Sequence, residues 1–137
     1  MRRIVGFVSL LLALACGSCA KSTAPDPNVA MYGTWSGVLR DTIDTSTGPQ
    51  PQQFALVLQF GKGGVLPAID GRTYASAVDL MHDPDVAFEI RRGPIVTGFV
   101  GTRTGDTLSG KAGWASFRGG TWTVVRSPMP WANGGSR

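Results

Sequence analysis

The chain has 137 residues, the length of a single domain, and it is moderately apolar, with 19 glycines and 9 prolines. Its 13 basic and 9 acidic residues are scattered along the sequence. Nucleic-acid binding would need a clustered basic stripe, so no nucleic-acid partner is expected.

The first 15 residues differ from the rest of the chain. Arg2 and Arg3 precede an uncharged apolar run, residues 4–15, and small residues follow it. A membrane-spanning helix needs about 20 apolar residues, whereas this shorter run is typical of a signal-peptide core. We therefore predict that residues 1–15 are a signal peptide and that the protein is exported. Without them the formal net charge falls from +4 to about +2.

The apolar run ends in the letters ALAC, residues 13–16. This stretch resembles the lipobox of bacterial lipoproteins, in which a small residue precedes a cysteine that is acylated on its thiol and, after cleavage, on its new amino group. The resemblance implies that Cys16 is lipidated. Acyl chains such as palmitate would then anchor the protein to a membrane of the cell envelope, with the outer membrane as the expected location. Several acyl chains hold a protein stably, whereas one does so only marginally.

Other interpretations of this segment remain open. A cut after Ala20 would release a soluble periplasmic or secreted protein without cysteine. A redox or zinc role for Cys16 and Cys19 fits less well. The motif lacks the strand–helix context of thioredoxin-like sites, and two cysteines with one histidine fall short of four zinc ligands. We assign no role to Cys19 and expect neither a metal nor another cofactor.

Residues 16–31 are interpreted as the lipidated cysteine with a proline-containing tether, and residues 128–137 as a disordered tail. Between them, residues 32–127 show short alternating segments separated by glycine turns, without a helical period. Residues 41–51 are polar and contain prolines, which predicts a long loop. The predicted strands are residues 33–42, 52–60, 72–80, 86–91, 95–103, 107–114 and 121–126.

This pattern predicts an all-β domain of seven or eight strands. Consecutive tight turns favour an antiparallel up-and-down meander, and closing it into a small barrel removes exposed sheet edges. Glycines inside strands, such as Gly101 and Gly110, are costly unless curvature requires them, and a tightly coiled barrel does require them. The predicted fold is a small antiparallel up-and-down meander barrel.

Two GTW triplets open the first and last predicted strands and contain Trp35 and Trp122. In a closed meander these strands are neighbours, so we expect the two tryptophans to meet at one end. Arg126 lies four residues after Trp122 on the same strand face, where a guanidinium over an indole gains a cation–π contact and covers the barrel floor. Alternatively, both tryptophans simply fill the core.

In these residues the chain resembles the lipocalin and avidin group of small barrels, the calycins. Their first strand carries Gly-x-Trp, and a last-strand arginine packs across that tryptophan. The chain is shorter than typical lipocalins and lacks their other motifs. The resemblance implies a non-catalytic barrel that binds a small apolar ligand. One strand face would hold it, and the candidate lining residues are Leu56, Leu58, Phe88, Ile90 and Trp114.

A second function is left open, because an eight-stranded barrel is just wide enough to be filled by its own side chains. The protein would then be an interaction module, or an inhibitor of a hydrolase. It would bind an envelope protein through residues 41–51 or 81–85 and would resemble the small lipoprotein inhibitors of lysozyme and secreted proteases.

An enzyme is not expected. The chain has one histidine, His82, beside Asp83 and Asp85, and this cluster could act as an acid–base pair or bind a cation. However, Pro84 makes ordinary turn chemistry the simpler interpretation. The sequence contains no G-x-S-x-G motif and no P-loop. A hydrolase centred on His82 is the third alternative.

The lipobox interpretation predicts the behaviour of Cys16→Ala. This variant should lose metabolic labelling by a fatty acid and should accumulate as an uncut precursor, because both processing steps require the thiol. Labelling and gel mobility measure the two effects. Labelling that persists would identify Cys19 as the acylated residue instead.

Overall fold

The computed structural model of the protein describes residues 24–113 and 119–128. Within these ranges it contains a short 3-10 helix, Val29–Met31, and nine strands. The strands are β1 (Gly33–Thr45), β2 (Gly48–Gly61), β3 (Gly64–Ile69), β4 (Arg72–Thr73), β5 (Ala75–His82), β6 (Asp85–Arg92), β7 (Ile95–Thr104), β8 (Thr107–Gly113) and β9 (Gly120–Arg126). The predicted signal peptide, Cys16, Cys19, Trp114 and residues 129–137 lie outside the described residues. No helix in the described ranges is long and apolar enough to cross a membrane.

The strands form one antiparallel sheet with the spatial order β4-β3-β2-β1-β9-β8-β7-β6-β5. The first strand pairs with the last, which places Trp35 opposite Arg126 and Leu39 opposite Trp122. This pairing curls the sheet into a nearly closed barrel, so that only β3 and β4 on one side and β5 on the other meet without a strand ladder. The predicted all-β, antiparallel up-and-down barrel is confirmed, and the described part has nine strands where seven or eight were predicted.

We call the place where β3 and β4 meet β5 without a strand ladder the seam. The additional strands are β3 and β4, which lie on one side of it. Pro67 lies in the middle of β3, and a proline argues against a strand in the sequence because it cannot donate to a ladder. Here the Pro67 carbonyl points toward the seam and accepts the Tyr74 N–H at 3.0 Å. The nitrogen and the carbonyl of a strand residue point to the same side, so the nitrogen of Pro67 also points toward the seam. Its lack of a hydrogen therefore removes no hydrogen bond to β2. The Ser76 hydroxyl donates to the Val65 carbonyl and joins β5 to β3.

The loop predicted for residues 41–51 is instead a two-stranded arm. β1 and β2 remain paired as far as Thr45 and Gly48. Beyond Arg40, β1 has no second partner among the described residues, because its pairing with β9 ends there. We call residues 41–52 the hairpin arm. The polar residues near its tip, such as Asp44, Thr45 and Gln50, reflect their exposure to solvent rather than the lack of a strand.

A register shift in β5 changes which side chains face inward. The pairing of β5 with β6 shifts between Val78 and Leu80. A bulge adds one residue, and a shift of one residue moves a side chain to the opposite face. Leu80 is therefore 47% exposed, although regular alternation within a strand would place it on the face of Val78, and Met81 packs against the core instead.

Alternate residues of the strands point into the barrel and form one hydrophobic core. The Phe88 and Phe99 rings stack with centroids 5.0 Å apart, and Trp122 packs edge-on to Phe88 at 6.1 Å. Around these aromatic rings, the core is completed by Met31, Trp35, Leu39, Leu56, Leu58, Phe60, Val65, Ile69, Val86, Ile90, Leu108, Ala112 and Val124. The middle of the barrel is thus filled by its own side chains.

Glycine in β8 allows the backbones of neighbouring strands to approach closely. A Cβ atom on Gly110 would lie 1.8 Å from the Val100 carbonyl oxygen and 2.6 Å from the Cα of Gly101. Backbone atoms of a paired strand cannot move aside as a flexible side chain can. Glycine at this position therefore permits the tight coiling of the barrel that was predicted from the glycines inside the strands.

We predict that Gly110→Ala lowers the free energy of unfolding by about 2 kcal/mol or more, because the new methyl group overlaps the β7 backbone. Urea denaturation measures the change. Gly63→Ala is the matched control, since a Cβ there meets no atom within 4 Å. Equal stability of the two variants would show that the β7–β8 contact is looser than described.

Candidate functional site

One end of the barrel is closed by the segment that precedes β1. Met31 is fully buried there, and its carbonyl accepts the Trp35 indole N–H at 2.8 Å. The Cζ atom of Arg126 lies 4.4 Å from the centre of the Trp35 ring, within the range of a cation–π contact. We call this end, built from Met31, Trp35 and Arg126, the closed end.

Arg126 also fixes the backbone that covers the closed end. Its Nη1 donates to the Tyr32 carbonyl at 2.7 Å, and its Nη2 donates to the Ala30 carbonyl. Its Nε donates to Asp106 at 3.1 Å. Gly33 has φ 120°, a region that favours glycine, and a Cβ there would approach Nη1 at 3.3 Å. Gly33 and Trp35 of the first GTW triplet therefore both help to position the Arg126 guanidinium.

Asn28 ties the covering segment to the β5–β6 turn. Its side-chain Nδ2 donates to the Met81 carbonyl at 2.9 Å, and its Oδ1 accepts the Asp83 N–H at 3.0 Å. The turn is held from the other side by Arg103, which donates to both carboxylate oxygens of Asp83 at 2.7 and 2.8 Å. This hydrogen bonding lowers the pKa of Asp83 below its usual range and raises the pKa of Arg103.

The acid–base cluster considered around His82 is thus engaged in the turn. Asp83 is paired with Arg103, and Asp85 accepts the Thr102 hydroxyl at 3.1 Å. The His82 side chain is exposed. Within the described ranges, no group of three histidine, cysteine, aspartate or glutamate residues is placed to hold a metal ion.

The opposite end of the barrel contains a cavity of about 180 Å³, which we call the mouth cavity. It lies where β1 leaves β9, above the filled core. Of the described residues that line it, six are apolar, namely Leu39, Ile43, Phe54, Ile69, Phe99 and Ala112, and three are polar, namely Asp41, Arg92 and Thr97. Such a concave apolar site with a few polar groups is typical of small-molecule pockets.

The polar lining residues differ in their surroundings. Asp41 is half-buried, and its Oδ1 accepts the Thr42 N–H at 2.7 Å. Thr97 is only 3% exposed, and its hydroxyl lacks a hydrogen-bond partner in the described part of the protein. A buried polar group without a partner costs about 1–3 kcal/mol, so Thr97 marks a position where a hydrogen bond is missing.

The residues predicted to line a ligand site lie deeper in the barrel. Leu56, Leu58, Phe88 and Ile90 are each at most 1% exposed and belong to the core. The structure brings these four together but places none of them among the residues that line the mouth cavity. Trp114 lies outside the described residues, and contact of the five with a ligand stays a prediction.

The lining residues that the sequence prediction missed continue the same strand faces toward the mouth. Phe54 lies two positions before Leu56, and Arg92 lies two positions after Ile90. Thr97 alternates with Phe99, so strand periodicity places it inward. The missing signal was the depth of each residue along the barrel, which depends on the register between strands.

The two tryptophans lie at different heights and do not meet at one end. Trp35 is opposite Arg126, whereas Trp122 is opposite Leu39. Since β1 and β9 are antiparallel, their first residues lie toward opposite ends of the barrel. Trp35 belongs to the closed end, and Trp122 packs with Phe99 nearer the mouth, with its indole N–H donating to the Lys111 carbonyl at 3.1 Å.

Comparisons of the chain with protein-family models, with curated proteins and with solved structures find no match. The nearly closed antiparallel barrel is compatible with a lipocalin-like fold. Its own geometry therefore carries the functional argument.

We predict that Thr97→Val raises the free energy of unfolding by about 1 kcal/mol, because it replaces a buried hydroxyl that has no partner among residues 24–113 and 119–128 by a methyl group of the same shape. Urea denaturation measures the difference. Thr102→Val on the same strand is the matched control, since its hydroxyl donates to Asp85 and its loss should not stabilise the fold. A destabilised Thr97→Val protein would show that the hydroxyl already has a partner.

Proposed function

We propose that the protein is a lipid-anchored lipoprotein of the bacterial cell envelope whose barrel binds a small, mainly apolar molecule without catalysis. The mouth cavity is the observation that carries this proposal: six of its nine lining residues are apolar, and it opens at one end of an otherwise filled barrel. Attachment through acylated Cys16, export and an outer-membrane location rest on the signal-peptide and lipobox patterns in the sequence.

The layout of the barrel suits an anchored binding protein. Residues 24–32 lie against the closed end, where Arg126 and Asn28 hold them. The first described residues therefore lie at the end opposite the mouth cavity. An anchor attached to that part of the chain would leave the mouth accessible to a ligand.

The volume of the cavity limits the size of the ligand. A buried apolar cavity of about 150 Å³ is known to bind benzene. The mouth cavity, at about 180 Å³, is slightly larger. The ligand, or the part of it inside the barrel, is therefore about as large as one substituted ring.

Native mass spectrometry of the protein isolated from expressing cells tests the proposal. We expect a reproducible adduct with the mass of a small organic molecule. Ala112→Leu should abolish the adduct because the longer side chain occupies the cavity that Ala112 lines. Ala55→Leu is the matched control: Ala55 is exposed, and this variant should keep the adduct. A bare polypeptide mass, or an adduct that survives Ala112→Leu, would contradict binding in the mouth cavity.

Binding of a protein partner is the second candidate function, and the hairpin arm favours it. The arm presents exposed polar residues beyond the rest of the sheet. At its base lies a shallow depression of about 430 Å³, lined partly by Arg40, Thr42, Gln52, Gln53 and Thr121. This depression is wide and polar, so it suits a protein surface better than a small apolar ligand. In contrast, residues 81–85 are partly engaged by Asn28 and Arg103.

A further inference from the structure

The Thr97 hydroxyl and the mouth cavity together carry information about the chemistry of the ligand. Thr97 lines the cavity, is 3% exposed, and has a hydroxyl without a hydrogen-bond partner among the described residues. A ligand that enters the cavity displaces water from its walls. A ligand with a hydrogen-bonding group near Thr97 would supply the missing partner, whereas a pure hydrocarbon would leave the hydroxyl unpaired.

The charges at the cavity indicate that this ligand group is neutral. Among the described residues that line the cavity, two are ionisable: Asp41, an acid, and Arg92, a base. Their opposite charges give neither anions nor cations a net advantage inside the cavity. The threonine hydroxyl is itself neutral and both donates and accepts hydrogen bonds. It is therefore suited to a hydroxyl or carbonyl group of the ligand.

The apolar walls indicate what the rest of the ligand is. Phe54 and Phe99 both line the cavity, and the Phe99 ring is fixed by stacking on Phe88 at 5.0 Å. Aromatic rings prefer offset-stacked or edge-to-face neighbours. A ligand ring packed against these side chains fits the available volume of about 180 Å³.

We infer that the mouth cavity selects a neutral molecule with one ring and one hydroxyl or carbonyl group, and that Thr97 recognises this group. The inference rests on the proposed ligand-binding function and adds the class of ligand to it. Thr97 is then a residue that determines ligand specificity. Its position among apolar residues in the strand does not suggest this role by itself.

Two probes of the same shape test the inference with the processed protein isolated from cells. Benzyl alcohol carries a hydroxyl where ethylbenzene carries a methyl group. We expect Thr97→Val to weaken the binding of benzyl alcohol roughly tenfold relative to ethylbenzene, since the mutation removes one hydrogen bond to the probe. Isothermal titration calorimetry measures the affinity of each probe for the wild-type protein and for Thr97→Val, which gives the ratio of the two affinities for each protein. The hydration of the free probes is the same in both cases, so it cancels when the two ratios are compared.

Two further variants control the experiment. Thr97→Ser keeps the hydroxyl and should show the same preference for benzyl alcohol over ethylbenzene as the wild-type protein. Thr104→Val makes the same substitution as Thr97→Val at an exposed position of β7 and should leave the binding of both probes unchanged.

The possible outcomes separate the inference from the function on which it rests. If neither probe binds, both the ligand-binding function and the inference are overturned. If both probes bind and Thr97→Val leaves their affinity ratio unchanged, the cavity binds ligands but Thr97 does not select them, and the inference alone fails. A ratio that changes in Thr97→Val but not in Thr97→Ser establishes recognition through the hydroxyl.

Discussion

The pairing of β1 with β9 is the contact on which the rest of the structure depends. It joins the first strand of the chain to the last, brings the two halves of the sheet together, and places Trp35 opposite Arg126, residues far apart in the sequence. Such non-local pairing carries a loop-closure cost that local hairpins do not. The guanidinium that lies over Trp35 and binds the Tyr32 carbonyl stabilises this closure. The same guanidinium holds the covering segment in place, so the joining of β1 to β9 and the closing of one end of the barrel are linked.

Closure also determines how much space remains inside. The backbones approach closely at Gly110, and the aromatic rings around Phe88 and Trp122 occupy the middle of the barrel. A small barrel leaves little room beyond its own side chains, and in the described part of the protein an apolar cavity remains at the mouth. There β9 begins beside Arg40, and the hairpin arm continues without a second partner among the described residues.

The two ends of the barrel consequently have different chemistry. The closed end combines ion pairs, side-chain hydrogen bonds and a cation–π contact, and these interactions hold a segment of backbone. The mouth combines apolar walls with a buried hydroxyl that lacks a partner in the described residues. The first arrangement is satisfied within the protein, whereas we propose that the second is completed by another molecule. This difference supports the proposed binding of a ligand at the mouth, and the polar hairpin arm beside it supports the alternative of a larger partner.

The sequence by itself determined the fold class, because the strict alternation in segments such as β6 and the glycine turns are local properties of the chain. It also indicated that Arg126 could lie over an indole. It did not reveal β3, where Pro67 faces the seam, or the bulge that exposes Leu80, because each depends on the neighbouring strand. Strand periodicity defines which side chains face inward but not how deep they lie in the barrel. The residues predicted to line a ligand site, such as Leu56 and Ile90, therefore lie in the filled core. Only the tertiary structure, through the register of the paired strands, placed Thr97 and Phe54 together at the mouth.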